Sequence, residues 1–208
     1  MILDTRVKEK NNEKIEFKPG TMVYPVPAVM VSCGNTEEEH NIITIAWTGI
    51  INSEPPMTYI SVRKSRYSHS ILEKNKEFVI NLSTDELAFA TDYCGVKSGS
   101  KINKFKEMKL TKIPATKLNT VMIAEAPVNV ECKIFDVIVL PSHDMFLAEI
   151  VAVNVNKSLM NNKGKLELEK LNLLAYSHGE YVKTGKSLGR FGFSVMKAKT
   201  KKRLSKNK

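Results

Sequence analysis

No apolar run in these 208 residues approaches the ~20 needed to cross a membrane as a helix, and the opening Met-Ile-Leu-Asp-Thr-Arg lacks the apolar core of a signal peptide. A cytoplasmic protein with no membrane partner is expected. Cysteine is scarce: Cys33, Cys94 and Cys132 lie far apart with no C-x-x-C pair, which argues against a disulfide framework or a thiolate zinc site and for free thiols. The four histidines, His40, His69, His143 and His178, fall in no metal-ligand spacing, so no metal is expected. Neither a G-x-S-x-G elbow nor a paired Cys and His signature is present, and no catalytic side chain is predicted. Gly185-Lys186-Ser187 ends like a phosphate-binding P-loop, but Glu180 stands where the first glycine belongs and Leu188 to Gly192 make a poor helix. No G-x-G-x-x-G follows a strand, so a nicotinamide would bind only transiently, outside a Rossmann unit.

Positive charge is what the chain has in excess, with a net +10. Residues 197 to 208 hold seven lysines and arginines and no acid, so most of that excess is a tail. Such a run reads as a solvated end, the alternative being a weak contact with nucleic acid or an anionic surface. No nucleic-acid partner is expected. The organisation is therefore an N-terminal arm over 1–18, one domain over 19–194, and a basic tail over 195–208.

Short runs rich in β-branched and aromatic residues follow one another from Gly20: Met22 to Tyr24, Ala28 to Cys33, Ile42 to Trp47, Met57 to Val62 and Phe78 to Leu82. They predict a meander-like sheet. Val128 to Leu140 and Met145 to Val155, split by the polar cluster Pro141-Ser142-His143-Asp144, predict a long hairpin. Ser70-Ile71-Leu72-Glu73 has the form of a capping box and predicts a helix from about Ser68 to Asn75; Ser83-Thr84-Asp85-Glu86 repeats it and predicts a second helix from Ser83, ended by Gly95. With no long helix alternating with strands, a mainly β antiparallel barrel or sandwich with short helical insertions is expected.

The segment from Asn41 to Asn81 is the most informative. Arg63, Lys64 and Arg66 stand beside Ser65, Tyr67 and Ser68, at the end of one predicted strand and just before a predicted helix. Guanidinium and ammonium charge, hydroxyl donors and free helix-terminal amides together suit a phosphate; a solvated basic turn is the plainer alternative.

Several pieces, in order, resemble the flavin reductase-like family of FMN-binding split barrels: Pro25-Val26-Pro27-Ala28-Val29-Met30-Val31, Asn41-Ile42-Ile43-Thr44-Ile45-Ala46-Trp47-Thr48, the Pro55-Pro56 turn, Ser61-Val62-Arg63, Ser68-His69-Ser70-Ile71, and Glu77-Phe78-Val79-Ile80-Asn81. Asp92 to Ser100 and Asn103-Lys104-Phe105 resemble its flavoredoxin branch. The resemblance covers roughly residues 20 to 190 and implies an antiparallel FMN-binding split β-barrel. It implies that Thr44, Ile45, Ala46, Trp47 and Thr48 run along the isoalloxazine edge, that Ser61, Val62 and Arg63 flank the ribityl chain, and that Arg63, Ser65, Tyr67 and Ser68 hold the phosphate. The family often has threonine at the position of Ser68. In the flavoredoxin branch Cys94, Ser98, Lys101 and Phe105 would lie near the flavin, from either subunit of a homodimer. Trp47 is otherwise a core residue, Cys94 a small apolar side chain rather than a redox thiol, and His178 either approaches the flavin or sits at the surface. The implied activity is that of an NAD(P)H-dependent flavin reductase-like oxidoreductase, with FMN as cofactor and NAD(P)H as transient donor. Its electrons would pass to a flavin, a ferric chelate or a redox protein partner. The alternative is a flavoredoxin-like carrier without its own NAD(P)H turnover.

Overall fold

The computed structural model describes residues 13–197. In the first half, β1 is Val26–Pro27, β2 Val29–Cys33, β3 Asn41–Ile45, β4 Thr48–Ser53, β5 Pro56–Val62, α1 Tyr67–Asn75, β6 Glu77–Leu82 and α2 Ala88–Val96. The second half adds α3 Lys104–Glu107, β7 Lys112–Pro114, β8 Val121–Ile123, β9 Val128–Val139, β10 Asp144–Val155, β11 Leu174–Ser177 and β12 Glu180–Lys183. Seven strands form one antiparallel sheet in the order β3-β2-β6-β9-β10-β5-β4. A three-stranded sheet β1-β11-β12 and the pair β7-β8 complete the β structure.

The sheet is not the simple meander expected. After β2 and β3 the chain crosses to the far edge for β4 and β5, then returns so that β6 pairs with β2. The strand sequences explain the placement. In β2, Val29, Val31 and Cys33 face the barrel interior while Met30 faces the second core under α2 and α3; in β3, Ile43 and Ile45 face inward and Ile42 outward. Both faces of these two strands are covered: the inner one is apolar, and on the outer one the hydroxyls beside Met30 and Ile42 are satisfied, Ser32 on the Val121 carbonyl and Thr44 on that of Thr91. In β5 only Thr58, Ile60 and Val62 are buried, one face of a period-2 strand.

The β9–β10 hairpin forms as expected around the Pro141 to His143 turn. Other expectations are corrected. Met22 to Tyr24 forms no strand; β1 starts at Val26. The Ile42 to Trp47 run stops at Ile45, bends at Ala46 and Trp47, and resumes as β4. Ser70 caps nothing: α1 already begins at Tyr67, and the Ser70 hydroxyl donates back to the Tyr67 carbonyl inside it. Ser83 does not start the second helix either. Its carbonyl accepts from Leu174 N–H and Thr84 bridges Leu173, so the backbone is claimed by sheet pairing; a 3₁₀ turn, Asp85–Leu87, intervenes before α2. Gly95 lies inside α2 rather than ending it. Of the arm, residues 13–18 carry no regular structure; residues 1–12 and the tail from 198 lie outside the described residues. No described helix is long and apolar enough to cross a membrane.

Candidate functional site

β3 and β4 are the two ends of the sheet order, yet the chain runs directly from one to the other through Ala46-Trp47, which brings β3 beside β5, the partner of β4. Ser61 N–H donates to the Trp47 carbonyl at 3.0 Å, and along β3 before that point the two strands diverge without pairing. The split holds a cleft of about 160 Å³, walled by residues 43–47 on one side and Ser61 to Arg63 on the other. Trp47, 38 % exposed, lies against the imidazole of His143 from the β9–β10 turn, ring centroids 4.6 Å apart. Thr44 is held by its hydroxyl, which donates to the Thr91 carbonyl of α2.

A second cleft of about 250 Å³ adjoins the first, sharing Ile43, Arg63 and Arg66. Its lining carries Arg63, Arg66, Lys97 and Lys104, together with Ser65 and Ser68, and no carboxylate. The first turn of α1 opens on it, with no side-chain cap from Arg66. Four cations, hydroxyls and unclaimed helix amides make a site for an anion with several oxygens.

The cations are fixed in different ways. Arg66 donates to the Gly95 carbonyl at 2.9 Å. Lys104 is buried and donates to the carbonyls of Ile42 and Cys94, each at 2.7 Å. Burial pushes the Lys104 ammonium down to about 8 against opposition from Cys94, and the nearby Arg66 adds a smaller push in the same direction as burial. Asn41 is buried too, and its amide donates to Ser68 Oγ at 2.7 Å. His143 is held below the usual histidine range by burial first and then by Arg63 and Arg66.

The structure therefore brings Thr44, Ile45, Ala46, Trp47, Ser61, Val62 and Arg63 around one cleft, and Arg63, Ser65, Tyr67, Ser68 and Ser98 around the other. Thr48, Cys94, Lys101 and Phe105 line neither. Thr48 is buried with its hydroxyl on the Tyr59 carbonyl at 2.5 Å. Cys94 and Phe105 are core residues beneath α2 and α3; burial raises the Cys94 thiol to about 11, so it stays protonated and unreactive at neutral pH. Lys101 is exposed at the margin of the cationic cleft, its N–H donating to the carbonyl of the lining Ser98 at 3.1 Å. His178 sits exposed at the β11–β12 turn against Tyr24. Sequence reasoning did not single out Lys97, Lys104 or His143 as site residues. The pieces Asp92 to Ser100 and Asn103-Lys104-Phe105 carried a signal for Lys97 and Lys104, and nothing marked His143 beyond its place in the predicted turn.

A family model described as "Flavin reductase like domain" matches residues 21–185. Among solved structures, the chain is similar to the flavoredoxin of Desulfovibrio vulgaris (Miyazaki F), 26 % identical with a TM-score of 0.81, over 88 % of this chain and 100 % of that one. It is likewise similar to the flavoredoxin of Methanosarcina acetivorans, 27 % identical with a TM-score of 0.78, over the same shares. A protein of Pyrococcus abyssi without an assigned function is 28 % identical over 77 % of this chain and 91 % of its own length.

Proposed function

The chain belongs to the flavin reductase-like family, and on that premise we propose that it binds FMN across the two adjoining clefts and passes hydride or electrons from NAD(P)H to a flavin, ferric or protein acceptor. One observation carries the reading: a carboxylate-free, four-cation cleft at the start of α1 continues into a narrow split walled by the β3 backbone and Trp47. A ligand with a phosphate at one end and a flat ring system at the other matches that change of character.

In this reading Arg63, Ser65, Ser68 and Lys97 hold the phosphate, and Arg66 and Lys104 add charge from fixed positions. The backbone of Thr44 to Trp47 borders the ring, with Ser61 and Val62 along the connecting chain. Bound FMN supplies the hydride and electron chemistry, so no side chain need become covalent. The residues bind, orient and exclude water. A homodimer is part of the proposal. Strand β4 is a sheet edge and carries Ile50, 73 % exposed, three residues beyond Trp47, an apolar edge that a second copy would cover.

The likeness to flavoredoxins above 25 % identity supports a second reading, an electron carrier with tight FMN but no NAD(P)H turnover. The visible spectrum of FMN-saturated, desalted protein, taken before and after anaerobic NADH or NADPH, separates the two. Retained flavin that bleaches supports the reductase, and retained flavin that does not supports the carrier. Absence of retained flavin, together with an NAD(P)H assay that does not depend on added flavin, overturns both.

A further inference from the structure

His69 and Asp144 are separated by 75 residues and are both buried, at 6 % and 3 % exposure. His69 Nε2 lies 2.8 Å from Asp144 Oδ2, while Nδ1 lies 3.4 Å from Glu73 Oε2 one turn along α1. Lys64 Nζ is 3.5 Å from the other Asp144 oxygen, which has no hydrogen bond, and the imidazole packs edge-on against Phe146 at 5.3 Å. His69, Glu73 and Asp144 have ligand atoms within 4.8 Å of one another, the spacing of a metal centre. The ring argues against one: its two nitrogens face the two carboxylates from opposite edges, and the cation on Asp144 is already Lys64. The arrangement is a hydrogen-bonded link.

What it links is the point. His69 follows Ser68, which lines the cationic cleft, and Asp144 follows His143, which lies on Trp47 in the split. Neither His69 nor Asp144 lines a cleft itself. Each is one peptide from a residue that does, and each is anchored, His69 by its amide on the Arg66 carbonyl and Asp144 by its register with Val62 and Val139. The buried His69–Asp144 contact thus ties the start of α1 to the hairpin turn, a route by which a shift at one would be felt at the other.

We propose that His69 and Asp144 are positioning residues that couple the anion-binding turn to the His143–Trp47 wall, so that an anion in one cleft sets the geometry of the other. The coupling rests on the reading of the cationic cleft as a phosphate site, and the test separates the two. Trp47 is the single tryptophan, so its emission reports on the wall. The full-length chain is titrated with inorganic phosphate, with binding followed by calorimetry and Trp47 emission recorded in parallel. In the wild type the emission change tracks calorimetric saturation. In Asp144→Ala phosphate affinity stays within about threefold while the emission response falls to less than about one third; Asp144→Asn, which keeps an acceptor for His69, restores most of it. His69→Gln gives the same loss and serves if Asp144→Ala does not fold. Phosphate that does not bind the wild type overturns the phosphate site and the coupling with it. Phosphate that binds without an emission change, or with an equal change in Asp144→Ala and His69→Gln, overturns the coupling alone.

Discussion

Lys104 Nζ lies 2.7 Å from the carbonyl oxygen of Ile42 on β3, so a buried ammonium sits directly behind the strand that borders the split. Its pKa near 8 gives two opposed pH dependences. Between about 8 and the ordinary 10.5 the unfolded chain holds a proton on this lysine that the folded chain does not, so the group's contribution makes apoprotein stability rise with pH across that window. FMN affinity moves the other way, since a phosphate monoester is essentially doubly charged by about pH 7 to 8 while the cation facing it fades. We expect the FMN dissociation constant to rise several-fold from pH 7 to 9, with proton uptake on binding near pH 8.5. Lys104→Met should flatten the profile. Fluorescence titrations at four pH values check this, and an equally steep profile in the variant would remove Lys104 from the site.

Gly99 leaves room that Asn41 occupies. A Cβ there would stand 2.1 Å from Asn41 Oδ1 and 2.6 Å from its Cγ, and Asn41 has no space to retreat because it is buried and tied to Ser68. Gly99→Ala should push the amide off Ser68 and disturb the hydroxyl facing the cationic cleft. A roughly tenfold loss of FMN affinity is expected, equivalent to about 1.4 kcal/mol. The melting temperature should fall by only a few degrees, as for a loss of about 1 kcal/mol in a chain of this size. Unchanged affinity would mean that the Asn41–Ser68 contact shapes the core and not the site.

How much of this was legible in the sequence follows from the range of the interactions involved. The turn at Pro141 to His143 and the basic cluster from Arg63 to Ser68 are local, and both were readable. The first helix lies where its letters put it, to within a residue, but the start of the second was misread because a competing partner lies far away: Ser83 and Thr84 have the letters of a cap, but Leu174 and Leu173 take their backbone. Lys104 shows the same limit. Nothing in Lys101, Lys104, Lys106 and Lys109 distinguishes the buried one, since its partners are the carbonyls of Ile42 and Cys94 in other elements. Cys94 and Phe105, carried over by resemblance, share α2 and α3 with residues that do reach the cleft, but stand on the faces packed into the second core.

Glu131 carries the clearest stability prediction outside the site. The carboxylate is fully buried on β9, and its oxygens accept from Thr116 N–H at 2.7 Å, Thr116 Oγ at 2.6 Å, Lys117 N–H at 2.8 Å and Asn154 Nδ2 at 2.7 Å. Burial alone would raise its pKa; the Thr116, Lys117 and Asn154 donors outweigh that and hold it below the ordinary 4.5. With the folded value depressed, the stabilisation is complete above the unfolded pKa and is lost as pH falls through the folded one. Glu131→Gln brings an amide N–H toward groups that are themselves donors, and should cost on the order of 2 to 4 kcal/mol. Urea unfolding at pH 7 and at pH 4 checks both statements: the variant is less stable at pH 7, and the gap narrows at pH 4 because the unfolded wild-type chain, with its ordinary 4.5, takes up a proton that the folded carboxylate resists. A gap that stays constant down to pH 3 would show that the charge on Glu131 contributes nothing and that only its shape is used.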